Sequence, residues 1–143
     1  MRLHSVGNGE IKKQAEFKQH TNQINYVAFD NPENENMFAS VSQDSSFRIW
    51  DTRQPKKPVH VERTKEKLLR GMFCPFVQDT DKANTFATSN YIDDINFYDT
   101  RMWKVKNTIK YKQEINSFMW DKSASAFIVA DISGTISVFN AST

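Results

Sequence analysis

The chain has 143 residues, enough for one ordinary domain with a real core. Hydrophobic residues make up 38% and charged residues 25%, which excludes a disordered chain. A net charge of +2 is too small to argue for a nucleic-acid surface by itself, and a single cysteine, Cys74, excludes an internal disulfide.

The aromatic fraction of 13%, with eleven Phe, favours β-structure. The best apolar run, Ala126 to Ala130, is strand-sized and far from membrane-spanning length. Met1 to Ser5 lacks the pattern of a signal peptide. Cys74 follows Phe73 in an apolar run and reads as a small buried hydrophobe in a reducing compartment.

Residues 1–19 read as the end of a preceding unit. Leu3 to Val6 ends one strand, with His4 at the place Trp50 holds later, and Gly7-Asn8-Gly9 is a strong turn. Ile11 to Phe17 is then an outer strand with Lys12, Lys13 and Lys18 facing water. Residues 20–66 form the clearest unit. Ile24 to Phe29 is its inner strand, apolar on both sides as a doubly covered strand must be. Asn31-Pro32 turns the chain, Ala39 and Val41 alternate with Ser40 and Ser42, and Phe47 and Ile49 alternate with Arg48 and Trp50. Val59 to Val61 is a short edge strand beginning after Pro58.

Residues 67–113 repeat the plan, because Trp50-Asp51-Thr52-Arg53 recurs as Tyr98-Asp99-Thr100-Arg101 at an offset of 48. Leu68 to Phe73 is the inner strand, Gln78 to Asn84 a loop, Ile95 and Phe97 a core face, and Lys104 to Ile109 an outer strand. Residues 114–143 begin a third copy. Ile115 to Asp121 matches Ile24 to Asp30, Phe127 to Ala130 is the second strand, and Thr135 to Phe139 the third.

His20, the serines of the second strand, Asp44 and Trp50-Asp51 resemble the WD-repeat pattern, one four-stranded blade of a β-propeller. The fold class is therefore all-β: about three antiparallel blades of a partial propeller. The resemblance implies a buried hydrogen-bonded chain of His20, Ser40 or Ser42, Asp44 and Trp50, with Asp44 fixing the His20 tautomer. A satisfied structural chain is by far the commoner role for such a Ser, His and Asp than catalysis. Only the first blade keeps the set; Ile92 and Tyr98, then Ser133 and Phe139, replace Asp44 and Trp50.

Three residue groups narrow the resemblance. They are Asp30-Asn31-Pro32 with Met37 to Ser40 and Phe47 to Arg53; Ser89-Asn90 with Asp93 to Asp99; and Glu114 to Trp120 with Gly134 and Ile136. In this order they resemble the WD-repeat subunits of THO complexes, the core of the transcription–export (TREX) assembly. That resemblance implies a nuclear, non-enzymatic scaffold that helps couple transcription to mRNA export through other protein subunits. The loops around Gln23, Gln43, Tyr91 and Ile132 fall on one rim by repeat alignment and are candidate partner contacts.

Two other functions compete. Trp50-Asp51-Thr52-Arg53 fits the WD-x-Arg pattern of substrate receptors for cullin–RING ubiquitin ligases, where Arg53, and by repeat Arg101, meets the adaptor; such a receptor can also be cytoplasmic. Basic runs at Arg63, Lys65, Lys67 and Arg70, and at Lys104, Lys106, Lys110 and Lys112, suggest RNA contact, although a charge run is usually a solvated face. Neither a Gly-rich phosphate loop, nor Cys/His metal spacing, nor a nucleophile elbow occurs, so no enzyme, cofactor or small-molecule substrate is expected.

Overall fold

The computed structural model describes residues 1–30, 35–75, 80–92 and 94–140. Every sheet in it is antiparallel, and the strands follow chain order from sheet to sheet. The first sheet is a hairpin of β1 (Arg2–Gly7) and β2 (Glu10–Glu16). The second has four strands: β3 (Ile24–Phe29), β4 (Met37–Ser42), β5 (Ser46–Asp51) and β6 (His60–Arg63). The third repeats it with β7 (Leu68–Phe73), β8 (Thr85–Asn90), β9 (Asp94–Asp99) and β10 (Lys104–Lys110). The fourth contains β11 (Ile115–Trp120), β12 (Ala126–Asp131) and β13 (Ile136–Asn140).

Local chemistry sets the turns. Asn8 and Gly9 both take positive φ, 52° and 75°, as the tightest hairpin turn requires. The first residues of each inner strand carry a register shift, between Ile24 and Tyr26, Leu68 and Arg70, and Ile115 and Ser117. This bulge recurs at the same place in all three larger sheets and turns Asn25, Leu69 and Asn116 out of the ladder.

Three apolar cores hold the sheets face to face. Phe17, Phe38 and Trp50 join the first and second sheets. Ala39, Val41, Phe47 and Ile49 of the second meet Leu68, Phe73, Phe86 and Tyr98 of the third. Ile95 and Phe97 of the third meet Ile115, Phe118, Phe127 and Val129 of the fourth. Each larger sheet places an aromatic pair on its incoming face: Phe29–Phe38, Phe73–Phe86 and Trp120–Phe127, with ring centroids 5.7, 4.7 and 4.9 Å apart. Burying one such side chain is worth roughly 1.5–3 kcal/mol.

Several expectations change. Val27 and Phe29 were expected to be covered on both sides, yet they are 40% and 58% exposed. The hairpin β1–β2 covers only the outer part of that face, over Phe38 and Trp50. His4, aligned with Trp50, is exposed while Trp50 is buried. The edge strand begins at His60 rather than Val59. The loop expected over 78–84 contains one helical turn, Thr80–Ala83; Gln78 and Asp79 lie outside the described residues, as do Asn31 and Pro32.

Candidate functional site

A buried polar cluster lies where β4 and β5 meet the segment before β3. His20 Nδ1 lies 2.8 Å from Asp44 Oδ2, and His20 Nε2 lies 2.7 Å from Ser40 Oγ. Trp50 donates its indole N–H to the same Ser40 oxygen at 2.8 Å. Ser46 Oγ–H and the Thr21 N–H also donate to Asp44, at 2.5 and 3.0 Å.

The proton positions follow from valence. An indole N–H can only donate, so Ser40 accepts from Trp50 and turns its own hydrogen to His20 Nε2. The remaining imidazole proton sits on Nδ1 and points at the Asp44 carboxylate. Every group is satisfied with His20 neutral. Burial lowers the His20 pKa below 6.5; the hydrogen bond and charge of Asp44 oppose that shift without overcoming it. Burial alone would raise Asp44, but bonds from Ser46, Thr21 and His20 outweigh it and bring the carboxyl down to about 2.

The order Ser40–His20–Asp44 mimics a hydrolytic triad. Ser40, however, is only 1% exposed, and Trp50 already occupies its oxygen. This geometry ties three parts of one sheet together. Ser42 is not a member of the relay: its Oγ donates to the Gln23 carbonyl at 2.8 Å and accepts the Asp44 N–H at 3.1 Å.

Ser42 belongs instead to a second repeated device. Asn90 and Asp131 hold its place in the next two sheets. Asn90 Oδ1 accepts the N–H groups of Ile92 and Asp94, both at 3.0 Å. Asp131 Oδ1 accepts those of Ser133 and Thr135 at 2.9 and 3.0 Å. One short acceptor side chain thus closes each of these turns. In the third sheet Tyr98 and Thr88 replace Trp50 and Ser40. Thr88 Oγ1 makes no hydrogen bond of ordinary geometry, and burial raises the Tyr98 pKa against the weaker opposing influence of Thr88.

The rim candidates separate into two kinds. Gln43 and Tyr91 are brought together: Gln43 Nε2 donates to the Tyr91 hydroxyl at 3.0 Å. Asn25, which the sequence reading missed, donates Nδ2 to the same hydroxyl at 3.1 Å and to the Leu68 carbonyl at 2.7 Å. These residues therefore staple the second sheet to the third. Gln23 and Ile132 remain exposed, and Ile92 beside Tyr91 is 53% exposed.

Arg53 and Arg101 sit in matching turns, each paired with the Asp two residues earlier. Arg53 Nε lies 2.9 Å from Asp51 Oδ1, and Arg101 Nε 2.9 Å from Asp99 Oδ1. The guanidinium bonds hold both carboxyls at about 2. The Arg53 side chain is still 68% exposed. The basic runs are less uniform than their sequence suggests. Arg70 lies 4.6 Å over the Tyr26 ring and donates to Ser117, bridging three inner strands rather than facing solvent with Lys65 and Lys67. Lys106 is bonded to Thr85 and Lys110 pairs with Asp94.

Successive antiparallel sheets stacked by their faces, with the His–Ser–Trp–Asp relay inside one of them, define a partial WD-type β-propeller. The chain is similar to THO complex subunit 3 of Arabidopsis thaliana, with 27% identity over 128 residues. That alignment covers 90% of this chain and 38% of the plant protein, so the chain spans well under half the length of that relative. No family model matches the chain.

Proposed function

We propose that the chain is a protein-interaction scaffold of a THO/TREX-type complex, acting in the nucleus where transcription is coupled to mRNA export. The similarity to THO complex subunit 3 over most of the chain carries this reading. The fold supports it: rigid sheets hold the turns containing Gln23, Ile92 and Ile132 at the surface, a suitable frame for several partners at once. The buried Ser40 oxygen supports a non-enzymatic role. Contact with RNA is then indirect, through the other subunits. Affinity purification of the tagged protein from its own cells tests the proposal. Recovery of other THO subunits is the expected result; their absence under conditions that preserve the complex overturns it.

The exposed Arg53 guanidinium keeps a second reading in play, a receptor of a cullin–RING ligase. Arg53→Ala separates the two. It abolishes adaptor capture if the second reading holds and leaves THO-subunit recovery unchanged if the first does.

A further inference from the structure

A cleft of about 380 Å³ opens between the two four-stranded sheets, the second and the third. Ligand sites commonly span roughly 300–1,000 Å³. Its lining includes Thr64 and Leu68 from the segment leading into the third sheet, and Asn90, Asp94, Asn96 and Tyr98 from that sheet itself.

These positions match those of the His20 relay in the second sheet. Tyr98 stands where Trp50 does, Asn96 where Arg48 does, Asp94 where Ser46 does and Thr88 where Ser40 does. Thr64 precedes Leu68 by the interval that separates His20 from Ile24. A threonine is too short to reproduce the imidazole. The Thr64 hydroxyl is also turned into its own loop, 2.8 Å from the Glu66 carbonyl.

The groups that would hold an imidazole nevertheless persist. Thr88 is the cross-strand partner of Asn96, shares its face and is fully buried. Its Oγ1 has no hydrogen-bond partner among the described residues. In the second sheet the equivalent hydroxyl, on Ser40, bonds His20 Nε2 at 2.7 Å. The carboxylate has moved by one turn position. Ile92 replaces Asp44, but Asp94 replaces Ser46, whose Oγ approaches His20 Nδ1 at 3.4 Å. Asp94 pairs with Lys110 at 2.8 Å, and that lysine side chain is 75% exposed. Water screens such a pair, and the carboxylate keeps lone pairs for a further donor.

Charge around the cleft favours no ion, because Glu62, Glu66 and Asp94 balance Arg63, Lys65 and Lys110. A neutral ring with one N–H donor and one acceptor nitrogen suits this lining better than a phosphate or a bare cation. The exposed Lys65 and Glu66 also offer a donor and an acceptor to the peptide groups that would carry such a ring.

We propose that the cleft between the second and third sheets takes an imidazole ring, presented as a histidine side chain by a partner protein. The ring donates its N–H to Asp94 and accepts the Thr88 hydroxyl proton. A partner thus completes between two proteins the arrangement that His20 completes within the second sheet.

The test is a titration of the 143-residue chain with imidazole, followed by NMR chemical shifts. At about pH 8 the free ring is neutral. Saturable one-to-one binding is expected, with a dissociation constant of about 1 mM for so small a ring. Asp94→Asn is expected to weaken it about tenfold or more. Thr64→His supplies an imidazole from the chain itself and is expected to abolish the response. Circular dichroism confirms that both variants keep their β-sheet; if Thr64→His fails to fold, Asp94→Asn decides. N-acetylhistidinamide, which carries the ring on a peptide backbone, is expected to bind as imidazole does. No saturable binding to the parent chain, or equal binding to Asp94→Asn, overturns the proposal. Binding of imidazole but not of the amide assigns the cleft to a free heterocycle and overturns the histidine-bearing partner.

Discussion

Ser45 and Gly134 close equivalent turns, and both lie in the left-handed backbone region, at φ 59° and 84°. Glycine adopts that region freely, whereas a residue with a Cβ gives up about 1–2 kcal/mol there. Ser45→Gly is therefore expected to stabilise slightly, by about 0.5 kcal/mol after the added freedom of the unfolded chain is counted. Ser45→Val, with its branched Cβ, is expected to destabilise by about 1–2 kcal/mol. Thermal melts of the pair check the order; a Val variant as stable as the Gly variant contradicts it.

Asp44 accepts from His20, Ser46 and Thr21 at once. Asp44→Ala leaves three donors without an acceptor in a site where the His20 and Asp44 side chains are 3% and 5% exposed. The expected loss is about 2–4 kcal/mol, read from the urea midpoint. Asp44→Asn keeps an acceptor oxygen and should lose less. A melting curve unchanged by Asp44→Ala would falsify the relay as a source of stability.

The relay also makes stability depend on pH. The His20 pKa is lower in the folded state than its ordinary value of 6.5, so below that value the unfolded chain binds the extra proton more readily. Stability is full above about 6.5 and declines as pH falls below it. A second decline begins below about 4, as Asp44, Asp51 and Asp99 leave their ordinary 3.8 for folded values of about 2. His20→Asn should remove the upper step and spare the lower one. Unfolding free energies measured from pH 7.5 down to about 3 distinguish the two.

Gly71 is a point of close approach rather than a turn. A Cβ there would lie 2.5 Å from Val41 Cγ2 and 2.7 Å from Phe86 Cζ, both in the core between the second and third sheets. Gly71→Ala is expected to destabilise by about 1–3 kcal/mol through overpacking. Adding Val41→Ala opens the space and should recover part of the loss, so the two changes are not additive. Strict additivity in denaturant unfolding rules out this clash as the cause.

The strands were legible because their pattern is local. Alternation marked Phe47-Arg48-Ile49-Trp50, and the recurrence of Trp50-Asp51-Thr52-Arg53 as Tyr98 to Arg101 set the repeat. What escaped is what depends on neighbours. Exposure of Val27 and Phe29 is decided by how much of their face the β1–β2 hairpin reaches, which no alternation within β3 records. The bond from Asn25 to Tyr91 spans 66 residues and two sheets. Trp103 takes φ 54° and stacks on His60 at 5.0 Å, a left-handed bulky residue that propensity argues against and tertiary aromatic packing retains.

The three tryptophans are distributed one to each seam. Trp50 lies in the first core, Trp103 packs against the second and Trp120 is in the third. The fold therefore carries its own set of optical reporters. Variants that keep a single indole each watch a different seam open, and superimposable fluorescence transitions would mean that the stack melts as one body rather than peeling sheet by sheet.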